Sequence, residues 1–434
     1  MAAQEKEVAI RSGTDSAVPR LKDIKISEPK KYSKAGHMFN IHSWAPVYVS
    51  VNRIMNMSFE NIWQAASPGV TAIMQNRLST AVGEFGYSAS PDPYNPDIWR
   101  HSGHARFTYS GLYPVIEASV DFNDRDALQY RAYGYLLDEG VGMEVKSTRL
   151  ASPSLQGKIA AYIPWNFSRG EWYKGLIPRI SYTLSNDRFD TGMVLMSYRS
   201  QDGSFEGNPV FMDVEDGTNP VRQSISGSVR GYAVMGTPNS AVYPRWGAGL
   251  EIGASSGFES YRFLSPMGYV YAYGYIPGFT KTQGFRLSAT WQKKLLDKSF
   301  FSLPVVDVLP RGLSGNPGLS SWVSIRNENI FKLTADYAVP IYIGDISIGG
   351  SFFYVKRLLL KPHFDYTFLS GNSGLLSAGG EFLFDLNSIL WLEWPCSIGA
   401  TYSYNGGNAF ESTLNGSGLK MDRHHLGFVF NVSF

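Results

Sequence analysis

The chain of 434 residues holds one cysteine, Cys396, so it can form neither an internal disulfide nor a thiolate metal cluster. It has no excess of either charge: 39 Lys and Arg stand against 37 Asp and Glu, a net of +2. Nothing in that balance attracts nucleic acid. No run of about 18 apolar residues occurs, which excludes membrane-spanning helices. The Gly-x-Ser-x-Gly, His-Glu-x-x-His and P-loop patterns are missing too. Charged residues make up only 18% of the chain, whereas 26 Tyr, 26 Phe, 10 Trp and 44 Gly are present. Such a composition is not that of a chain disordered over most of its length. The mean hydropathy of −0.16 leaves one membrane architecture open. In a spanning β-barrel, lipid-facing and lumen-facing residues alternate, and their average looks soluble.

Residues 1–36 are rich in Lys, Glu, Ser and Asp and have no aromatic before Tyr32. They read as a flexible solvated tail or linker, periplasmic if the rest of the chain is an outer-membrane barrel. The start lacks a basic segment followed by an apolar one, so an export signal is expected to have been removed or left out. Residues 37–68 read as a barrel-entry segment, with Phe39 to Pro46 as a packing anchor or a small lid at the barrel mouth. Residues 69–434 read as the barrel.

From residue 69 the apolar pattern has a period of two, the strand signal. Leu358, Leu360, Phe364, Tyr366 and Phe368 share one face; Leu359, Lys361, His363 and Asp365 share the other. Phe331, Leu333, Ala335, Tyr337 and Val339 alternate in the same way with Lys332, Thr334 and Asp336. So do Ile116, Ala118, Val120 and Phe122 with Glu117, Ser119 and Asp121. About sixteen such segments occur, most of about 9–14 residues, longer than the five or six usual in soluble sheets and long enough for a tilted membrane strand. The fold class expected is all-β: a transmembrane antiparallel β-barrel of about 16 strands. Residues 124–153 fit this count poorly, because they form a long insertion on what the count makes the short-turn side. The chain ends in Phe428, Phe430, Val432 and Phe434, alternating apolar positions on an edge strand that could template strand addition.

Leu309-Pro310-Arg311-Gly312-Leu313 opens a stretch rich in Gly, Ser and Asn. It resembles the arginine-glycine-aromatic motif on the sixth extracellular loop of the BamA-like superfamily of outer-membrane barrels, which includes assembly insertases, two-partner secretion transporters and surface-antigen barrels. Thr334 to Pro340, His363-Phe-Asp365-Tyr and Gly379-Gly-Glu381-Phe resemble the strands that follow that loop. Further segments, among them Tyr243-Pro-Arg-Trp-Gly247 and Tyr354-Val-Lys-Arg357, resemble barrels of Bacteroidota often fused behind a TolB-like propeller. Leu313 departs from the usual aromatic, and the 434 residues contain no propeller and no POTRA domain. The resemblance implies a Gram-negative outer-membrane location, envelope protein assembly or transport, and a loop folded into the lumen. It also implies that the outer-membrane assembly machinery reads the C-terminal strand, and that periplasmic or membrane proteins are partners of the barrel.

The charges argue for the same cluster independently. Alternation puts Asp336, Asp365 and Glu381 on the lumen face, where Arg311 can offer a rigid fork of donors to more than one carboxylate. Arg230, in Val229-Arg230-Gly231-Tyr232, is set aside because it falls within an alternating strand. No cofactor, metal site or catalytic residue is expected. His101 and His104 point to opposite faces of a strand, and so do His424 and His425. The alternatives carried forward are a small-solute channel, which requires a clear lumen, and an outer-membrane hydrolase built on His363 and Asp365.

Overall fold

The computed structural model describes residues 41–49, 66–91, 98–124, 128–137, 140–149, 153–186, 188–196, 198–199, 205–206, 210–212, 221–238, 240–258, 265–296, 306–314, 319–320, 323–324, 327–350, 353–371, 373–389, 396–417 and 422–432. Sixteen long strands pair in chain order, each antiparallel to the next. They are β1 (Ile41–Val49), β2 (Ala66–Gln75), β3 (Ala81–Pro91), β4 (Trp99–Tyr109), β5 (Val115–Phe122), β6 (Leu155–Tyr162), β7 (Trp172–Ser185) and β8 (Arg222–Met235). After these come β9 (Gly247–Gly257), β10 (Met267–Pro277), β11 (Gly284–Lys294), β12 (Asn329–Ile348), β13 (Phe353–Leu369), β14 (Ser373–Ile389), β15 (Cys396–Gly406) and β16 (His424–Val432). A two-residue strand, Trp165–Asn166, adds to the edge of β7. A helix, α1 (Phe410–Ser417), lies between β15 and β16. Among the described residues no helix is long and apolar enough to cross a membrane, and no ladder joins β1 to β16.

The faces of this sheet are inverted relative to a soluble protein. On β11, Arg286, Ser288, Thr290 and Gln292 are buried while Leu287 and Trp291 are exposed. On β12 and β13, Lys332, Thr334, Asp336, His363, Asp365 and Thr367 are buried, whereas Leu333, Leu360, Phe364 and Phe368 are exposed. Ile116, Val120, Ile159, Ile180, Val229, Ile252 and Phe382 extend the exposed apolar face around the other strands. Water would not tolerate that outer face, and hydrocarbon would not tolerate the inner one. The arrangement is stable only with lipid outside and polar groups paired inside. The fold is that of a transmembrane antiparallel β-barrel.

The strand count agrees with the sequence expectation, but two segments exchange roles. β1 lies within residues 37–68, the stretch read as an entry segment, and pairs with β2 from Ile41↔Met74 to Val49↔Ala66. The segment at 190–200 counts among the sixteen expected strands, but Arg188–Met196 lies outside the main sheet. Arg188–Met196 pairs in parallel with Leu128–Leu137, which forms a hairpin with Gly140–Arg149; Val210–Met212 completes this separate four-stranded sheet. Adding β1 at the start changes the parity of the connections up to β7, and the loss of the 188–196 segment from the wall restores it from β8 onward. The insertion between β5 and β6 now lies at the same end as the long segments before β2, β8, β12 and β16, and the opposite end has short turns such as 110–114 and 278–283. That asymmetry of long loops against short turns is characteristic of outer-membrane barrels.

Candidate functional site: the arginine loop and its acidic wall

The loop between β11 and β12 reaches the inner face of β12 to β15. A single 3-10 turn, Arg311–Leu313, follows Pro310 and aims both ends of the arginine at the wall. The Arg311 backbone N–H donates to Asp365 Oδ2 at 2.8 Å. Its guanidinium reaches Asp336 Oδ1 through Nη2 at 2.7 Å and Glu381 Oε1 through Nη1 at 3.2 Å. Asp365 Oδ1 lies 3.5 Å from Nη2. The three carboxylates stand on three successive strands, so one planar cation links β12, β13 and β14.

Neighbours that the sequence reading did not select complete the cluster. Arg286 Nη1 on β11 lies 3.6 Å from Asp336 Oδ2, and Lys361 Nζ on β13 lies 3.2 Å from Glu381 Oε2. The Gly312 N–H donates to Ser377 Oγ at 3.1 Å, and Asn405 Nδ2 donates to the Gly312 carbonyl at 3.2 Å. Thr367 Oγ1 donates to the Val308 carbonyl at 2.7 Å. Three of them have the parity of a residue already selected: Lys361 and Thr367 share the face of Asp365, and Ser377 shares that of Glu381. A Cβ on Gly312 would stand 2.1 Å from Asn405 Oδ1, so only glycine fits between the loop and β15.

An apolar cap covers the ions. Val308, Leu309, Leu313, Leu319 and Val323 of the loop pack with Ile330, Leu369 and Leu375 at the strand ends and with Ala409 and Phe410 beside α1. Leu313, standing where the resembling family has an aromatic, is part of this cluster. Burial of each such large side chain contributes about 1.5–3 kcal/mol. Beneath the ions, the turn between β8 and β9 folds inward. Arg357 Nη1 donates to the Ala241 carbonyl at 2.7 Å, and Val242 packs on Leu359 and Leu383. Tyr243 lies within the field of Lys361, Asp336, Arg286 and Glu381, and burial pushes its phenol up to about 12.

His363 and Asp365 share this face but do not face each other as a catalytic pair. Both Asp365 oxygens are directed at Arg311, and His363 Nε2 meets Ser403 Oγ at 3.1 Å. Arg230 lies in β8 and bonds Glu251 of β9 at 2.6 Å, a strand-to-strand contact. Of the C-terminal positions, Phe428, Phe430 and Val432 lie on β16 opposite Ala400, Ile398 and Cys396 of β15; Phe434 is outside the described residues.

No family model matches the chain, and no curated protein does. Solved structures with a similar fold include CdiB from Escherichia coli, at 12% identity and a TM-score of 0.47, over 86% of this chain and 61% of that one. CdiB from Acinetobacter baumannii matches at 9% identity and a TM-score of 0.42, over 85% of this chain and 57% of the other. BamA from Haemophilus ducreyi lacking POTRA domains 1–3 matches at 8% identity and a TM-score of 0.41, over 85% and 68%. The chain thus spans about three fifths of the two CdiB chains.

Proposed function

We propose that this chain is an outer-membrane barrel of the BamA-like superfamily, of the surface-antigen type found in Bacteroidota, acting in envelope protein assembly or transport. The observation that carries the reading is the Arg311 loop, drawn inside the wall, ion-paired to Asp336 and Glu381 and held by Asp365. A loop so placed braces β12 to β14 and occupies lumen that a solute channel needs clear. The brace leaves the other side of the sheet, where β1 and β16 are the terminal strands, as the place where a client strand could be accommodated. Clients and helper proteins would meet the barrel there or at its short-turn end, where both β1 begins and β16 ends. Phe428, Phe430, Val432 and Phe434 serve as the signal by which the assembly machinery inserts this barrel.

The test is depletion of the protein in its host, followed by quantification of outer-membrane and surface-exported proteins. Selective loss of a set of such proteins is expected. An unchanged protein profile, together with large steady openings of the purified barrel in a planar bilayer, would assign it to solute passage instead.

A further inference from the structure

On the opposite wall, away from the arginine loop, three inward side chains stand in line across β3, β4 and β5. Ser88 Oγ lies 3.1 Å from His104 Nε2, and His104 Nδ1 lies 2.9 Å from Asp121 Oδ1. The register produces the line: His104 sits directly across from Asp121 on one side and Gly86 on the other, with Ser88 across from Ser102. With Asp121 ionised and the imidazole neutral, this arrangement puts the hydrogen on Nδ1 and leaves Nε2 to accept from the Ser88 hydroxyl. This is the order in which an acid, a base and a nucleophile work.

The surroundings hold the ring in place. Tyr48 of β1 stacks on His104 with centroids 4.1 Å apart and planes 11° apart. Tyr48 also fills the space above Gly86, where a Cβ would lie 2.2 Å from its ring. Ser102 Oγ donates to the Asn123 carbonyl at 2.7 Å, and Asn123 Nδ2 donates to the His101 carbonyl at 2.9 Å, closing the turn beside Asp121. Rigid support of this kind is what a reactive hydroxyl needs.

We propose that Ser88, His104 and Asp121 form an esterase site on the inner wall, with Ser88 as nucleophile, His104 as general base and Asp121 as positioning residue. Ser88 Oγ attacks the ester carbonyl as its proton passes to His104 Nε2. The alkoxide then leaves with that proton, giving an alcohol and an acyl-Ser88. Water, deprotonated by His104, releases the carboxylic acid and restores the hydroxyl. Arg100 is buried on the same face of β4, across from Ser90 of β3. Ser88 is 7% exposed and Tyr48 4%, so the substrate class is a short-chain carboxylic ester, not a long-chain one.

The test uses the full chain folded in detergent, with a fluorescent fluorophosphonate as probe and p-nitrophenyl acetate as substrate. Wild type is expected to label covalently and to release p-nitrophenol. Ser88→Ala should abolish both, and His104→Gln should slow labelling by about 10²–10⁴-fold, the usual contribution of a general base. Asp121→Asn should shift the midpoint of the rate-against-pH profile, which a packing role would leave in place. Heat-modifiable gel migration checks that each variant is folded. As a second readout, Ser88→Cys should be alkylated by iodoacetamide at neutral pH faster than Ser88→Cys combined with His104→Gln. Failure of folded wild type to label, labelling that survives Ser88→Ala, or equal alkylation of the two cysteine variants would overturn the proposal. Activity abolished by EDTA would overturn it as well, assigning His104 and Asp121, with nearby Asp124, to a metal ion.

Discussion

Removing Arg311 takes away the cation that Asp336, Asp365 and Glu381 share on the inner wall. Removing one partner of a buried ion pair typically costs about 3–5 kcal/mol. Arg311→Ala should therefore lower the temperature at which the folded band converts on a heat-modifiability gel, and Asp336→Asn on that background should restore part of the loss. A wild-type transition in Arg311→Ala would show that the contacts contribute nothing. Gly312→Ala should destabilise for a different reason, since its Cβ meets Asn405 Oδ1 and the β-carbon of Ser403. Trimming Asn405 to alanine in the same chain should relieve part of that strain; no relief would mean that the loop does not press on β15. Arg311 and its three acids were legible in the sequence because parity assigns faces and opposite charges must meet. Asn405 and Arg286 were not, because nothing local says which distant strand lies against the loop.

At the scale of the element, each strand has a lipid side and a wall side, and substitutions should divide accordingly. Phe364, exposed on the outer face of β13, becomes costly when charged: Phe364→Arg should lose about 2–4 kcal/mol if it lies near the bilayer midplane. Thr401→Arg, on the inner side of β15, should differ by acting through crowding, with no dependence on lipid thickness. Refolding into vesicles of short and long acyl chains separates the two; equal lipid dependence would contradict the assignment of faces. The turn between β8 and β9 offers a pH test. Tyr243 is held neutral by burial, with its pKa raised from 10.0 to about 12. The folded chain thus retains this proton where the unfolded chain gives it up. Its contribution is fully present below pH 10 and is lost as pH rises toward 12. Tyr243→Phe should flatten the fall in thermal stability over that interval, and an identical fall in both proteins would place Tyr243 in solvent.

For the whole molecule, the arginine loop and the turn carrying Tyr243 approach the same wall from opposite ends, and the proposed function has them together obstruct the lumen. Wild-type barrels in a planar bilayer should show small, infrequent openings. Replacing residues 297–325 by a short Gly-Ser linker should produce larger and steadier ones. High conductance in the intact protein would mean that the loop does not obstruct. The hairpin spanning 128–149 belongs to a separate sheet, so replacing residues 125–152 by Asn-Gly, which shortens the connection between the paired Phe122 and Leu155, should leave heat-modifiable migration unchanged. A chain that no longer folded after this exchange would make the insertion part of the wall.

Alternation alone determined that this chain forms long strands with one greasy and one polar side, since a pleat turns successive side chains to opposite faces whatever lies around them. It also determined the fold class, because more than a dozen such strands with almost no helix between them require closure or lipid. Tertiary structure alone decided which strands join the wall. The segment at 190–200 reads as a strand and residues 37–68 read as an entry segment, and only pairing partners put Arg188–Met196 in a side sheet and β1 at the start of the barrel. It alone also decided that Ser88, His104 and Asp121 form a line. That depends on the register between three strands, and register is set by the fit of whole ladders, not by any pair of residues within one of them.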